Sequence, residues 1–229
     1  MNQNIFSTRN FSIEEAFEFF IKNGYLVIRD GLPSNLVDDV KNQFESFVAV
    51  TSTYFEPHKD YDGHFPRIVN LHTAFSPLIQ LFTSNTFSLA IQDKFFGETS
   101  SIYTSLYYER GSSQPIHRDT PYFATKPEHK YLGVWVALED ADENNGCLED
   151  MPGGHQLPEL NLEEIALSLF ESLDAIDPAS QKLWDKYQEA VYKQCLAAKI
   201  TPKKLSVKKG DTVIWHPQLP HGGGANFRH

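Results

Sequence analysis

Two widely separated segments constrain this chain most, because each is chemically incomplete unless the fold brings it to the other. The first, Gln114-Pro115-Ile116-His117-Arg118-Asp119-Thr120, follows a strand-like run and a turn at Gly111-Ser112-Ser113. On an extended backbone side chains alternate between faces, so His117 and Asp119 project to one side and can converge on a single ion. The second, His221-Gly222-Gly223-Gly224, follows strand-like residues around Trp215 and offers a third ligand. Two imidazoles and one carboxylate form the facial set associated with iron(II) oxygenases, leaving positions open for a chelating cosubstrate and oxygen. A lone His-x-Asp pair is a weak signal; the later histidine and the strands between them strengthen it.

The rest of the chain alternates helical and strand-like stretches. Ser12 and Glu15 have capping-box spacing ahead of Ala16, Phe17, Phe19 and Phe20, and Gly24 ends that helix. Tyr25-Leu26-Val27-Ile28 reads as a buried strand, and Val37, Val40, Phe44, Phe47 and Val48 recur at helical spacing after Pro33-Ser34. Residues 51–75 form a polar, aromatic loop able to line a site, and 77–96 resume a helical pattern. Strand-like runs follow at Ile102–Tyr108, Tyr131–Leu138, Cys147–Met151, Leu205–Val207 and Thr212–His216. A helical insertion occupies about 161–200, with periodic faces that include Trp184 and Tyr187. The expectation is one domain over 1–229: a helical region to about 100, a strand-rich barrel from about 101, and the insertion within it.

Charge and composition narrow the partners. With 30 acidic and 20 basic residues the formal charge is −10, so neither nucleic acid nor an anionic membrane is an expected partner. No stretch approaches the roughly 20 apolar residues that span a bilayer, and no apolar leader is recognisable. The only cysteines, Cys147 and Cys195, fit a reducing compartment. A cytoplasmic location is the expectation. No phosphate loop, zinc-protease motif or nucleophile elbow is present.

In order along the chain, His117-Arg118-Asp119, Trp135-Val136-Ala137-Leu138, Asn145-Gly146-Cys147-Leu148, Pro152-Gly153-Gly154-His155, Gly210-Asp211-Thr212 and His221-Gly222-Gly223-Gly224-Ala225-Asn226 resemble the phytanoyl-CoA dioxygenase family of iron(II)/2-oxoglutarate oxygenases. The resemblance implies a mainly β fold with a helical layer, a double-stranded β-helix or jelly-roll barrel with iron at its mouth. It implies that His117, Asp119 and His221 hold Fe(II), and that 2-oxoglutarate serves as cosubstrate. The implied reaction consumes dioxygen, converts 2-oxoglutarate to succinate and carbon dioxide, and hydroxylates a small organic metabolite. Family members carry a basic clamp for the cosubstrate downstream of the last histidine. That position falls beyond His229, so the polypeptide is expected to continue, with the final barrel strand in the continuation.

Around the implied centre, Tyr107, Thr120, Trp135 and Arg228 are candidates for contacting the cosubstrate, and Arg118, Tyr122 and Lys130 for contacting substrate. Tyr103 could line the same side, and His155 could support the site from behind. Two alternatives stay open: a noncatalytic jelly-roll binding protein, and a related oxygenase performing desaturation, epoxidation or cyclisation.

Overall fold

The computed structural model describes residues 6–111, 113–123, 125–177 and 179–224. Strand β1 (Phe6–Ser7) leads into helix α1 (Ile13–Asn23), where the Ser12 hydroxyl accepts from the Glu15 amide at 3.3 Å and left-handed Gly24 closes the last turn. Strand β2 (Tyr25–Arg29) follows, then helices α2 (Ser34–Val50), α3 (Ser52–Phe55), α4 (Pro77–Ser84) and α5 (Thr86–Phe96), with strand β3 (Ile68–Val69) before α4. The second half carries β4 (Leu106–Tyr107), β5 (Gly133–Val136), β6 (Leu148–Asp150), helices α6 (Leu162–Leu167) and α7 (Gln181–Ala197), then β7 (Lys203–Leu205), β8 (Thr212–Trp215) and β9 (His221–Gly223). No helix among the described residues is long and apolar enough to cross a membrane.

These strands make three sheets: β1-β2-β8-β5, β3-β4 and β7-β6-β9. The central strands of the first are apolar on both faces, as burial on both sides demands. From β2, Tyr25 and Val27 join Val213, Leu205 and Cys147 in a core between this sheet and the three-stranded one. Leu26 and Ile28 turn the other way, packing with Ile214 against Ala16 and Phe20 of α1 and Ile91 of α5. A third core lies under α2, where Val37, Val40 and Phe44 meet Phe65, Leu71 and Phe75. A fourth joins Tyr187, Val191 and Cys195 of α7 to Ile116 and Met151.

The expected mainly β barrel is therefore corrected. Among the described residues helix accounts for 41% and strand for 15%, and the sheets are open and uncurled. The reason is visible in Ile102–Tyr108, whose aromatic and β-branched content reads as a full strand. β-propensity reports fit to a pleated, half-buried surface, whereas a ladder also needs a partner backbone. Only Leu106 and Tyr107 form ladder pairs, with Val69 and Ile68. In the same way Tyr131–Leu138 pairs as a strand only over Gly133–Val136, against β8.

One register in the four-stranded sheet positions the site. Gly133 lies opposite Trp215, and a Cβ at 133 would fall 1.9 Å from the indole ring. The missing side chain is what lets the indole lie flat across β5. Gly133→Ala should therefore cost about 1–3 kcal/mol through overpacking, read as a lower urea midpoint. An unchanged midpoint would mean that the indole has room to move.

Candidate metal centre

The site begins with a backbone contact between distant segments. His117 and His221 exchange hydrogen bonds, N–H of 117 to O of 221 at 2.8 Å and N–H of 221 to O of 117 at 2.9 Å. This extends the three-stranded sheet by one residue pair beyond β9. Gly222 permits the approach, since a Cβ there would meet the Gln114 carbonyl at 2.6 Å. Directly opposed residues of an antiparallel pair present their side chains on one face, so both imidazoles emerge together, ring centroids 4.6 Å apart.

Asp119 completes the group. Its Oδ1 lies 3.8 Å from His117 Nε2 and its Oδ2 lies 3.8 Å from His221 Nε2. One ligand atom from each of the three residues falls within 4.8 Å of the others. The tautomers are set from behind: His117 Nδ1 lies 2.8 Å from the Pro115 carbonyl and His221 Nδ1 lies 2.9 Å from the Leu219 carbonyl. A carbonyl only accepts, so each Nδ1 carries the proton and each Nε2 lone pair faces the shared point. Burial, reinforced by neighbouring His221, pushes His117 down to about 4, keeping its imidazole neutral near pH 7. Trp215 donates from Nε1 to Asp119 Oδ2 at 3.0 Å and fixes the carboxylate. Two imidazoles with their Nε2 atoms turned to one point and an oriented carboxylate suit a divalent transition metal of the iron type.

The wall beside His117 comes from the helical insertion. Trp184 of α7 lies edge-on to His117 at 5.8 Å between centroids, meets Tyr122 at 4.2 Å and stacks on Tyr187 at 5.4 Å. The aromatic pair Trp184 and Tyr187, one helical turn apart, was the available signal. Thr120 hydrogen-bonds with the Tyr187 hydroxyl, whose pKa is raised to about 12, chiefly by burial. The buried Tyr131 hydroxyl has no protein partner among the described residues. Burial raises its pKa, and the charge of nearby Asp119 adds to the shift.

The remaining sequence candidates fall in different places. Trp135 packs on the inner core between the two larger sheets, two residues along β5 from Gly133. Tyr122 is 54% exposed on the aromatic wall. Tyr107 packs on Phe44 in the α2 core, ring centroids 4.4 Å apart, and serves that core. Lys130 pairs with Glu98. Arg118 is buried and donates to the carbonyls of Gly154 and Pro158 and to the Gln194 side chain, so it is not free for an anionic substrate. His155 packs on His216 and bonds the Ile21 carbonyl. Arg228 lies outside the described residues.

A family model described as Phytanoyl-CoA dioxygenase (PhyH) matches residues 20–227. The chain belongs to the phytanoyl-CoA dioxygenase family. It is 26% identical to the peroxisomal phytanoyl-CoA dioxygenase of Bos taurus, over 93% of this chain and 64% of that protein. With the Homo sapiens counterpart it is 24% identical, over 93% and 63% of the two chains. The chain thus spans under two thirds of the length of these relatives. Among solved structures, EctD from S. alaskensis with 2-oxoglutarate and 5-hydroxyectoine superposes with a TM-score of 0.66 at 17% identity, covering 94% of this chain and 71% of that one. SnoK, a non-heme alpha ketoglutarate dependent carbocyclase from nogalamycin biosynthesis, superposes at 0.62 and 18% identity, covering 96% and 80%. These likenesses establish the fold. The family relatives also correct the cytoplasmic expectation, because the Bos taurus and Homo sapiens proteins are peroxisomal. Peroxisomal import reads a short receptor-recognised address, not an apolar leader.

Beside His221 sits a residue that no sequence signal exposed. Asp150 is the cross-strand partner of both His221 and Lys203, so these side chains share one face of the sheet. Asp150 is 1% exposed and its Oδ2 has no partner, while Lys203 donates instead to the Tyr25 hydroxyl at 2.6 Å. Burial raises the carboxyl from its ordinary 3.8 to about 7. The folded state then binds a proton that the unfolded state has released, so this group withdraws stability as pH rises between those values. Asp150→Val should stabilise the metal-free protein by about 1–3 kcal/mol, with the gain largest above pH 7. Urea midpoints across pH test this; a midpoint unchanged or lowered at pH 8 would show a satisfied carboxylate.

Proposed function

We propose that this chain is an iron(II)- and 2-oxoglutarate-dependent oxygenase that hydroxylates a small organic metabolite. The observation that carries the reading is the convergence of His117, Asp119 and His221 with both Nδ1 atoms pinned to carbonyls, in a chain of this family. His117 Nε2, His221 Nε2 and an Asp119 oxygen would hold the metal. Bound iron(II) supplies the redox chemistry by which dioxygen oxidises the substrate while 2-oxoglutarate loses carbon dioxide and becomes succinate.

The protein's part is orientation and exclusion. Trp215 holds Asp119 from one side, so the carboxylate keeps its direction when a cation arrives. Trp184 and Tyr122 cover the His117 side with apolar surface and keep bulk water from the ligands. The unpartnered Tyr131 hydroxyl offers a hydrogen bond to a polar group bound beside Asp119. Thr120 and Trp135 remain the candidates nearest the cosubstrate side, and residues 1–229 act as one oxygenase unit. A second reading has specific support, because SnoK shares the fold and is a carbocyclase. Placement of the substrate against the same centre would then give ring closure in place of hydroxylation.

Replacing His117, Asp119 or His221 singly by Ala should each lower iron binding and succinate formation by at least about 100-fold, with far-UV ellipticity retained. The assay is anaerobic reconstitution with iron(II) and 2-oxoglutarate, then oxygen and a metabolite extract, followed by mass spectrometry. A product heavier by one dioxygen-derived oxygen is expected. Full metal stoichiometry and succinate formation in all three variants would overturn the reading.

A further inference from the structure

We infer that Arg118 is a positioning residue whose buried guanidinium locks helix α7 onto the ligand-bearing segment and so sets Trp184 against His117. This rests on the metal-centre reading above and adds a residue that touches neither metal nor substrate. Alternation sends Arg118 to the face opposite His117 and Asp119, where it is 1% exposed. There Nη1 donates to the Pro158 carbonyl at 3.1 Å, and Nη2 donates to the Gly154 carbonyl at 3.2 Å and to Gln194 Oε1 at 3.0 Å. Gln194 returns from its Nε2 to the same Pro158 carbonyl at 2.9 Å, closing the network.

The acceptors belong to two elements that flank the ligands. Gly154 and Pro158 lie in the turn after β6, the strand paired with β9 and hence with His221. Gln194 lies on α7, on the side that also carries Trp184 and Tyr187. The 117–120 segment therefore meets α7 at three points: Trp184 on His117, Tyr187 on Thr120 and Gln194 on Arg118. Of these, only the last is held by a rigid, planar donor fork reaching two elements at once.

Stability alone gives no account of such a group. Among the described residues Arg118 forms no ion pair with a carboxylate, and its Nε has no partner. A buried charge costs several kcal/mol of desolvation, which hydrogen bonds to neutral dipoles only partly repay. Geometry is what the guanidinium supplies and an apolar side chain cannot.

The test uses Arg118→Met, Arg118→Lys and Gln194→Leu, with Trp184→Phe as the near-UV reference and cobalt(II) alone as the metal probe. Arg118→Met should keep the parent far-UV ellipticity yet bind cobalt(II) about 10-fold or more weakly, with a changed d–d absorption spectrum. Its metal-free near-UV circular dichroism should lose the contribution that Trp184→Phe also removes. Arg118→Lys should recover part of the affinity, and Gln194→Leu should lose a smaller part. Parent-like affinity, spectrum and near-UV signal in Arg118→Met would overturn the inference. Failure of the parent protein itself to bind cobalt(II) would instead sink the metal-centre reading, leaving the near-UV comparison to decide the role of Arg118.

Discussion

The mutual hydrogen bonds between the backbones of His117 and His221 are what the site depends on. They join a segment from the middle of the chain to one near its end, and loop-closure entropy opposes that union. A long strand is not needed to hold it. Gly222 lets β9 come close to Gln114, and Gly223 adds a further bond to the Gln114 carbonyl at 2.9 Å. Once this register is set, the two imidazoles have no independent choice of face. Their carbonyl partners lie two residues back along the chain in each case, Pro115 and Leu219, so the same local geometry orients both rings.

The four-stranded sheet serves this junction from the opposite side. Trp215 ends β8 and crosses the space above Gly133 to reach Asp119, with its ring centroid 5.0 Å from that of His221. A second anchor holds β8 at its start, where Asp211 accepts from the Asp30 amide at 2.9 Å and the Lys208 amide at 2.7 Å and pairs with Arg29. Thr212 accepts from Asn85 at 2.7 Å, tying the strand to the helical layer. The Gly210-Asp211-Thr212 landmark is thus structural. It holds the strand that delivers Trp215, and through Trp215 it bears on the ligand Asp119.

How much of this was legible in the sequence depended on whether the deciding contact was local. Capping by Ser12, closure at Gly24 and the doubly buried β2 all follow from residues within one turn or one strand. The projection of His117 and Asp119 to one side also follows from alternation alone. The barrel did not follow, because strand propensity in Ile102–Tyr108 says nothing about which backbone will pair with it. Tyr107 illustrates the same limit: its side chain faces Phe44 because β4 pairs with β3, a contact that no pattern within the strand encodes. Trp184 was visible as part of an apolar helical face, but its address against His117 depends on how α7 docks.

Arg118 and Asp150 show why buried charge is informative here. They flank the ligands on the two faces of one small sheet region, and neither forms an ion pair among the described residues. Had the fold been optimised only for stability, each position would suit an apolar residue of similar volume. The two differ in how they meet the cost. Arg118 distributes its donors over three acceptors on separate elements, whereas Asp150 leaves an oxygen without a partner beside a histidine. A satisfied network fixes relative position; an unsatisfied group stores unfavourable energy that a local change in charge can release. Next to the ligands, therefore, a satisfied Arg118 adds a positional constraint and an unsatisfied Asp150 adds a charge-sensitive one.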